Sequence, residues 1–134
     1  MKFHLESGTG RYTIISYAPG RIIVQVPPAE GAPAAGREIL TQSLIIAPGQ
    51  LLRDWAPQSI AELCAEHFEQ VIEFNPEVVL FGSGAQHTFP PAATMAPLVR
   101  HGIGVEVMST DAACRTYNLL MADGRRVVAA LLMI

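Results

Sequence analysis

The unbroken apolar run in "EVVLFG", residues 77–82, constrains what this chain can fold into more than any other feature, and "RRVVAALLMI", residues 125–134, reads as a last strand. A strand with one face in water alternates polar and apolar residues, whereas an unbroken run needs cover on both faces, as in helix-flanked parallel sheets. The segment "GIGVEVM", residues 102–108, repeats the theme between them. Ala92, Ala93, Met95, Ala96, Leu98 and Val99 predict a crossover helix. Pro97 blocks a regular hydrogen bond, so that helix either kinks or begins near Thr94 with Pro97 in its first turn. "TDAACRTYNLLMADG" reads as a second helix, capped by Ser109 or Thr110 and stopped by Gly124. Strands alternating with helices in this way predict an α/β sheet with right-handed βαβαβ connections.

The N-terminal part is richer in strands. "RYTIISYAPGRIIVQV" places two β-branched segments around Ala18-Pro19-Gly20, a hairpin with strands near 12–17 and 21–26. "PPAEGAPAAG", residues 27–36, is too small and proline-rich to hold a ladder and reads as a mobile loop. "REILTQSLIIAPG" supplies a third strand, ended by Pro48-Gly49, so a meander precedes the βαβαβ unit. Ser59 and Glu62 form a capping-box pattern. Ile60, Leu63, Cys64, Phe68, Val71 and Ile72 then recur at helical spacing until Asn75-Pro76. On that helix Cys64 is expected to be a small buried hydrophobe. Trp55 and His67 take similar structural roles.

At 134 residues, half of them hydrophobic and 16% charged, the chain is expected to form one domain over residues 1–134 around one core. A net charge of −3, with one lysine, eight arginines and no basic run, argues against nucleic acid as a partner. His4, His67, His87 and His101 are scattered, and Cys64 and Cys114 fit neither a zinc spacing nor a disulfide framework. No metal and no cofactor is expected. No run reaches the ~20 residues of a membrane span, and the first ten residues lack a signal-peptide core, so a cytoplasmic location is expected.

The candidate site is "VVLFGSGAQHTF", where a buried strand runs into Gly82-Ser83-Gly84. A dinucleotide fingerprint needs a third glycine where His87 stands, and the ending of a phosphate-binding loop is missing. A nucleophile elbow needs glycines two positions either side of the serine, and no histidine lies beyond His101, leaving only an unorthodox Ser83–His87 pair. No residue is therefore assigned a catalytic role. One reading makes the segment a turn in which Gly82 and Gly84 supply positive φ and Ser83 bonds locally. Another uses topology: "VVLFGSG" and "VEVMSTD" end at the same edge of a parallel pair, where open α/β sheets bind ligands. Gly82, Ser83, Gly84, Gln86, Ser109, Thr110 and Asp111 then line one crevice. Cys114, Arg115 and Asn118 continue from Asp111 along one helical stripe. Arg115 either clamps a small anion or pairs with Asp111. Cys114 is either packed inside or activated by the helix dipole and the neighbouring arginine.

From "ISYAPGRIIV" through "SLIIAP", "PEVVLFGSGAQHTFPP", "GIGVEVMSTDAACRTYN" and "ADGRRVVAALL", the chain resembles a small α/β family whose prototype is an uncharacterised methanogen protein. The family includes a mitochondrial assembly factor for respiratory complex I, and "STDAACRTYNLL" followed by "GRRVVAALL" is similar to that bacterial and mitochondrial branch. The resemblance implies a three-layer α/β fold with a mixed central sheet, an N-terminal β-rich flap and no established catalytic activity. It also implies protein partners in respiratory-complex assembly. The loop at 27–36 is longer than the family's usual turn. Three functional classes follow: a non-enzymatic binding or assembly protein, an anion- or small-molecule-binding protein or enzyme using the crevice, and a site whose polar groups are satisfied internally.

Overall fold

The computed structural model describes residues 10–28 and 36–134. Strands β1 (Thr13–Ala18), β2 (Arg21–Val26) and β3 (Gly36–Leu40) form an antiparallel flap in the order β1-β2-β3. The central sheet holds β4 (Leu44–Ala47), β5 (Gln50–Leu52), β6 (Val78–Gly82), β7 (Gly104–Met108) and β8 (Val127–Leu131) in the order β5-β4-β8-β6-β7. It is mixed: β8, β6 and β7 run parallel, and β4 meets β8 antiparallel. Helices α1 (Ala65–Ile72), α2 (Ala92–Arg100) and α3 (Thr110–Ala122) complete the chain.

Three layers result because the middle strands bury both faces. In β8, Val127, Ala129 and Leu131 belong to a core with α3 and the flap, while Val128 and Ala130 face Trp55, Phe68 and Leu98 on the side of α1 and α2. In β6, Leu80 points to the first core and Val79 and Phe81 to the second. This is the physical content of the unbroken apolar run. The expected α/β class, N-terminal hairpin and mixed sheet are all present.

Several local expectations differ. "REILTQSLIIAPG" is two strands in two sheets, because the chain leaves the flap after Leu40 and enters the central sheet at Leu44. β7 is an edge strand with exposed Glu106, not one covered on both faces. Ser59 precedes only a 3-10 turn, Ile60–Glu62, and makes no side-chain cap. The Glu62 carboxylate accepts from the Gln58 amide instead, at 2.9 Å. The helix starts five residues later than the periodicity predicts, capped by Cys64, whose backbone N–H donates to His67 Nδ1 at 3.1 Å. Cys64 is exposed there, not buried, because a cap residue stands before the face that packs. α2 begins at Ala92 rather than Thr94, so Pro97 sits inside it. Most of the loop expected at 27–36 lies outside the described residues, although Gly36 already opens β3.

The C-terminus of α3 follows its sequence signal. Gly124 adopts φ +82°, its N–H donates to the Met121 carbonyl, and the Arg125 N–H donates to the Leu120 carbonyl, a glycine-dependent Schellman stop. Docking of the flap depends on the same helix. The Asn118 amide accepts from the Ile14 N–H at 3.0 Å and donates to the Ile14 carbonyl at 2.7 Å, beside the bulge between Ile14 and Ser16 in β1. Nearby, the Tyr117 hydroxyl donates to the Tyr12 carbonyl and Arg11 to the Met121 carbonyl. Asn118→Ala leaves two half-buried backbone groups unpaired and is expected to lower stability by about 1–3 kcal/mol. Urea unfolding checks this; an unchanged midpoint would show that water replaces the amide without loss.

Candidate functional site

Parallel pairing of β6 with β7, Phe81 opposite Val107 and Gly82 opposite Met108, brings the trailing ends of both strands together. The Ser83 N–H donates to the Met108 carbonyl at 2.9 Å, and the Thr110 N–H donates to the Gly84 carbonyl at 2.9 Å. Gly82, Ser83, Gly84 and Thr110 therefore meet at the point where β6 leads to one face of the sheet and β7 to the other.

The meeting place is filled by the chain itself. Buried Thr110 Oγ1 accepts from the Gly84 N–H at 2.8 Å and donates to the Leu132 carbonyl at 2.7 Å. Ser83 Oγ donates to the Gln86 carbonyl at 2.6 Å, lies 3.2 Å from the Met108 carbonyl, and accepts from the Thr88 N–H at 3.0 Å. A hydroxyl has one proton and two lone pairs, so these contacts leave Ser83 little capacity for a ligand or a base. His87 is exposed and lies against Phe89, ring centroids 4.9 Å apart, and no Ser83–His87 hydrogen bond forms. Gln86 contributes its backbone carbonyl to this turn and is exposed.

The two glycines do different work. Only Gly84 has positive φ, +102°. Gly82 is required for close approach: a Cβ there would lie 2.8 Å from Leu131 Cδ2, 2.8 Å from Thr110 Oγ1 and 3.0 Å from Thr110 Cα. The expectation that both glycines supply positive φ is corrected on this point.

Along α3 the stripe divides. Ser109 precedes the helix and its hydroxyl donates to Asp111 Oδ1 at 2.5 Å, which also accepts from the Ala112 N–H at 2.8 Å. Those two bonds, with a smaller contribution from Arg115, hold the Asp111 carboxyl below its ordinary range. A depressed folded-state pKa means that any resulting stability is complete above the unfolded-chain value and disappears as pH falls through the folded one. Arg115 stands 4.0 Å from Asp111 and donates to the Tyr17 hydroxyl at 2.7 Å, joining α3 to the flap. Asn118 is occupied by Ile14. Cys114 is 1% exposed, and burial, then the charge of Asp111, pushes its thiol up to about 12. Activation by the helix dipole and arginine is thus overturned by desolvation, since Cys114 turns into the core with Ala113 and Tyr117.

Among the described residues no three His, Cys, Asp or Glu side chains converge as metal ligands would. No helix of the structure is long and apolar enough to cross a membrane. A cavity of about 430 Å³ lies at the opposite edge of the sheet, beside the first residues of β8, with Arg11, Arg125 and Arg126 in its lining. Its only trace in the sequence is the arginine pair directly after the Gly124 helix stop.

A mixed sheet between a helical layer and a layer of helix plus flap, its switch point closed by backbone and hydroxyl groups, defines a three-layer α/β protein. The chain belongs to the family described as "Protein of unknown function (DUF498/DUF598)", whose model matches residues 14–132. It is 34% identical over 68 residues to the "13 kDa major membrane protein" of Francisella tularensis, covering 51% of this chain and 55% of that protein. It is 29% identical over 115 residues to the NADH dehydrogenase [ubiquinone] 1 alpha subcomplex assembly factor 3 of Danio rerio, covering 84% of this chain and 64% of that one. The chain thus spans about half to two-thirds of the length of these curated relatives. A solution structure of a Mth938-like domain from Bordetella pertussis superposes with a TM-score of 0.77 at 30% identity, covering 99% of this chain and 92% of that one. The family expected from the motifs is the one matched.

Two outcomes test the geometry. Gly82→Ala is expected to cost about 1–3 kcal/mol through overpacking against the Thr110 backbone, and Gly84→Ala a similar ~1–3 kcal/mol through backbone strain; chemical denaturation measures both, and a neutral Gly82→Ala would contradict the close approach. With a thiol reagent at pH 8, Cys64 should react in the folded chain and Cys114 only on unfolding. Equal labelling of the two, read by mass spectrometry of the peptides, would show that Cys114 is not enclosed.

Proposed function

We propose that this chain is a non-enzymatic binding or assembly protein that acts by presenting a surface to protein partners. The observation that carries the reading is the occupied switch point: where an α/β sheet ordinarily leaves a ligand crevice, Ser83 spends its hydrogen bonds on Gln86, Thr88 and Met108, and Gly84 and Thr110 spend theirs on one another and on Leu132. Similarity to an NADH dehydrogenase assembly factor supports protein partners and points to respiratory-complex subunits. The outer face of the flap is a suitable surface. Ile39 is 62% exposed and pairs across the sheet with Ile23, while Ile15 in the β1 bulge is 37% exposed.

In this reading residues 1–134 act as one folding unit in the cytoplasm and reach a membrane complex by docking. The N-terminal flap supplies the contact, and the α/β layers hold the flap in place. A tagged full-length chain, expressed in its cell of origin and captured under mild conditions, should recover NADH dehydrogenase subunits. Ile39→Glu should abolish that recovery while changing stability by no more than about 0.5 kcal/mol, as an exposed substitution does. Capture that recovers no respiratory subunit in any growth condition would remove the assembly reading.

A further inference from the structure

We infer that the cavity at the leading edge of β8 is a binding site for a small organic anion, a carboxylate or phosphate monoester carrying a short apolar body. The inference is independent of the assembly reading and concerns the edge of the sheet opposite the Gly-Ser-Gly turn. At about 430 Å³ the cavity lies within the size range of small-molecule sites, roughly 300–1,000 Å³. Its charge is the first pointer. A chain with nine basic residues and a net charge of −3 places three arginines around this one cavity, and among the described residues no Asp or Glu lines it.

The arginines are also pre-positioned. Arg125 Nε donates to Glu77 Oε2 at 2.8 Å, Arg126 Nε donates to the Asn75 carbonyl at 3.2 Å, and one terminal nitrogen of Arg11 donates to the Met121 carbonyl at 3.1 Å. Each guanidinium has five N–H donors, and these contacts among the described residues use one apiece. Anchoring through Nε leaves the terminal fork, the part that matches a carboxylate or phosphate in bidentate fashion, as the available end. Glu77 braces the pair from behind: its carboxylate also accepts from the Arg126 N–H at 3.1 Å and is held below its usual range, first by that bond and then by Arg125.

The remaining lining suits an organic body better than a bare ion. Half-buried Phe74 and Pro48 supply apolar surface, with Gln50 and Asn75 as neutral polar groups beside it. Asn75 is held at φ +58°, the conformation in which its carbonyl meets Arg126, and Gly124 at φ +82° turns the chain directly into Arg125. Two left-handed residues therefore frame the arginine pair. An anion entering here would find charge, a fixed fork and apolar surface within one concavity.

The test uses isotope-labelled full-length protein titrated at low salt with sodium benzoate and, separately, with inorganic phosphate, following backbone amide resonances. Saturable shifts are expected at Gln50, Asn75, Gly124 and Arg125, with benzoate binding tighter than phosphate because only benzoate uses the apolar surface. Arg126→Gln and Arg11→Gln should each weaken binding about tenfold or more, as loss of a charge-assisted pair does. Arg100→Gln, on the last turn of α2, should leave it unchanged. Retained amide dispersion in each variant shows that the fold survives. Shifts that fail to saturate, that appear instead at Gly84 and Thr110, or that persist unchanged in Arg11→Gln/Arg126→Gln would overturn the site.

Discussion

Thr110 is the joint on which the fold turns. Its hydroxyl accepts a hydrogen bond from the Gly84 N–H and donates one to the Leu132 carbonyl, while its backbone N–H donates to the Gly84 carbonyl. One fully buried side chain thereby ties the end of β6, the continuation of β8 and the first residue of α3. A buried hydroxyl with an unmade bond is costly, so the three elements stay in register or lose the joint together. α3 in turn carries the flap through Asn118, Tyr117 and Arg115. The position of the flap follows from contacts made by a helix near the C-terminus.

How much of this is legible in the sequence depends on whether the signal is local. The apolar run at Val78 announces a strand buried on both faces, because it is of strand length and is bounded by Asn75-Pro76 and Gly82. The Gly124 stop is equally plain, being a backbone requirement written in one residue. The helix near Ser59 is misread because its capping-box pattern is satisfied in another way: Glu62 reaches Gln58, and Cys64 with His67 starts the helix later. Cys64 departs from its expected burial for a related reason, and Cys114 takes the packed one of its two readings. Periodicity says that a residue lies on a helix but not which side meets the sheet, so burial of Cys114 and exposure of Cys64 are decided by tertiary packing.

The candidate site was legible as a place and not as a chemistry. Adjacent strand ends follow from a right-handed β-α-β connection, and the structure puts Ser83 beside Met108 and Gly84 beside Thr110. What no sequence pattern contains is that Asn118 turns to Ile14 and Arg115 to Tyr17, partners about a hundred residues away along the chain. Fold and function separate here as they do in other α/β architectures, where the same scaffold serves many purposes through different surfaces. The ionic cluster of Arg11, Arg125 and Arg126 is a further instance, since Arg11 is remote in sequence and joins the other two only through the docking of β1 against α3.

Gly82 bears on how relatives of this chain should be compared. A site that admits no carbon beyond the α position leaves selection a single option there, whatever the molecule does in the cell. Invariance at that column of a future homologue comparison would record steric exclusion by a neighbouring helix, and a Gly-Ser-Gly signature built on it would gather proteins that share a seam without sharing a reaction.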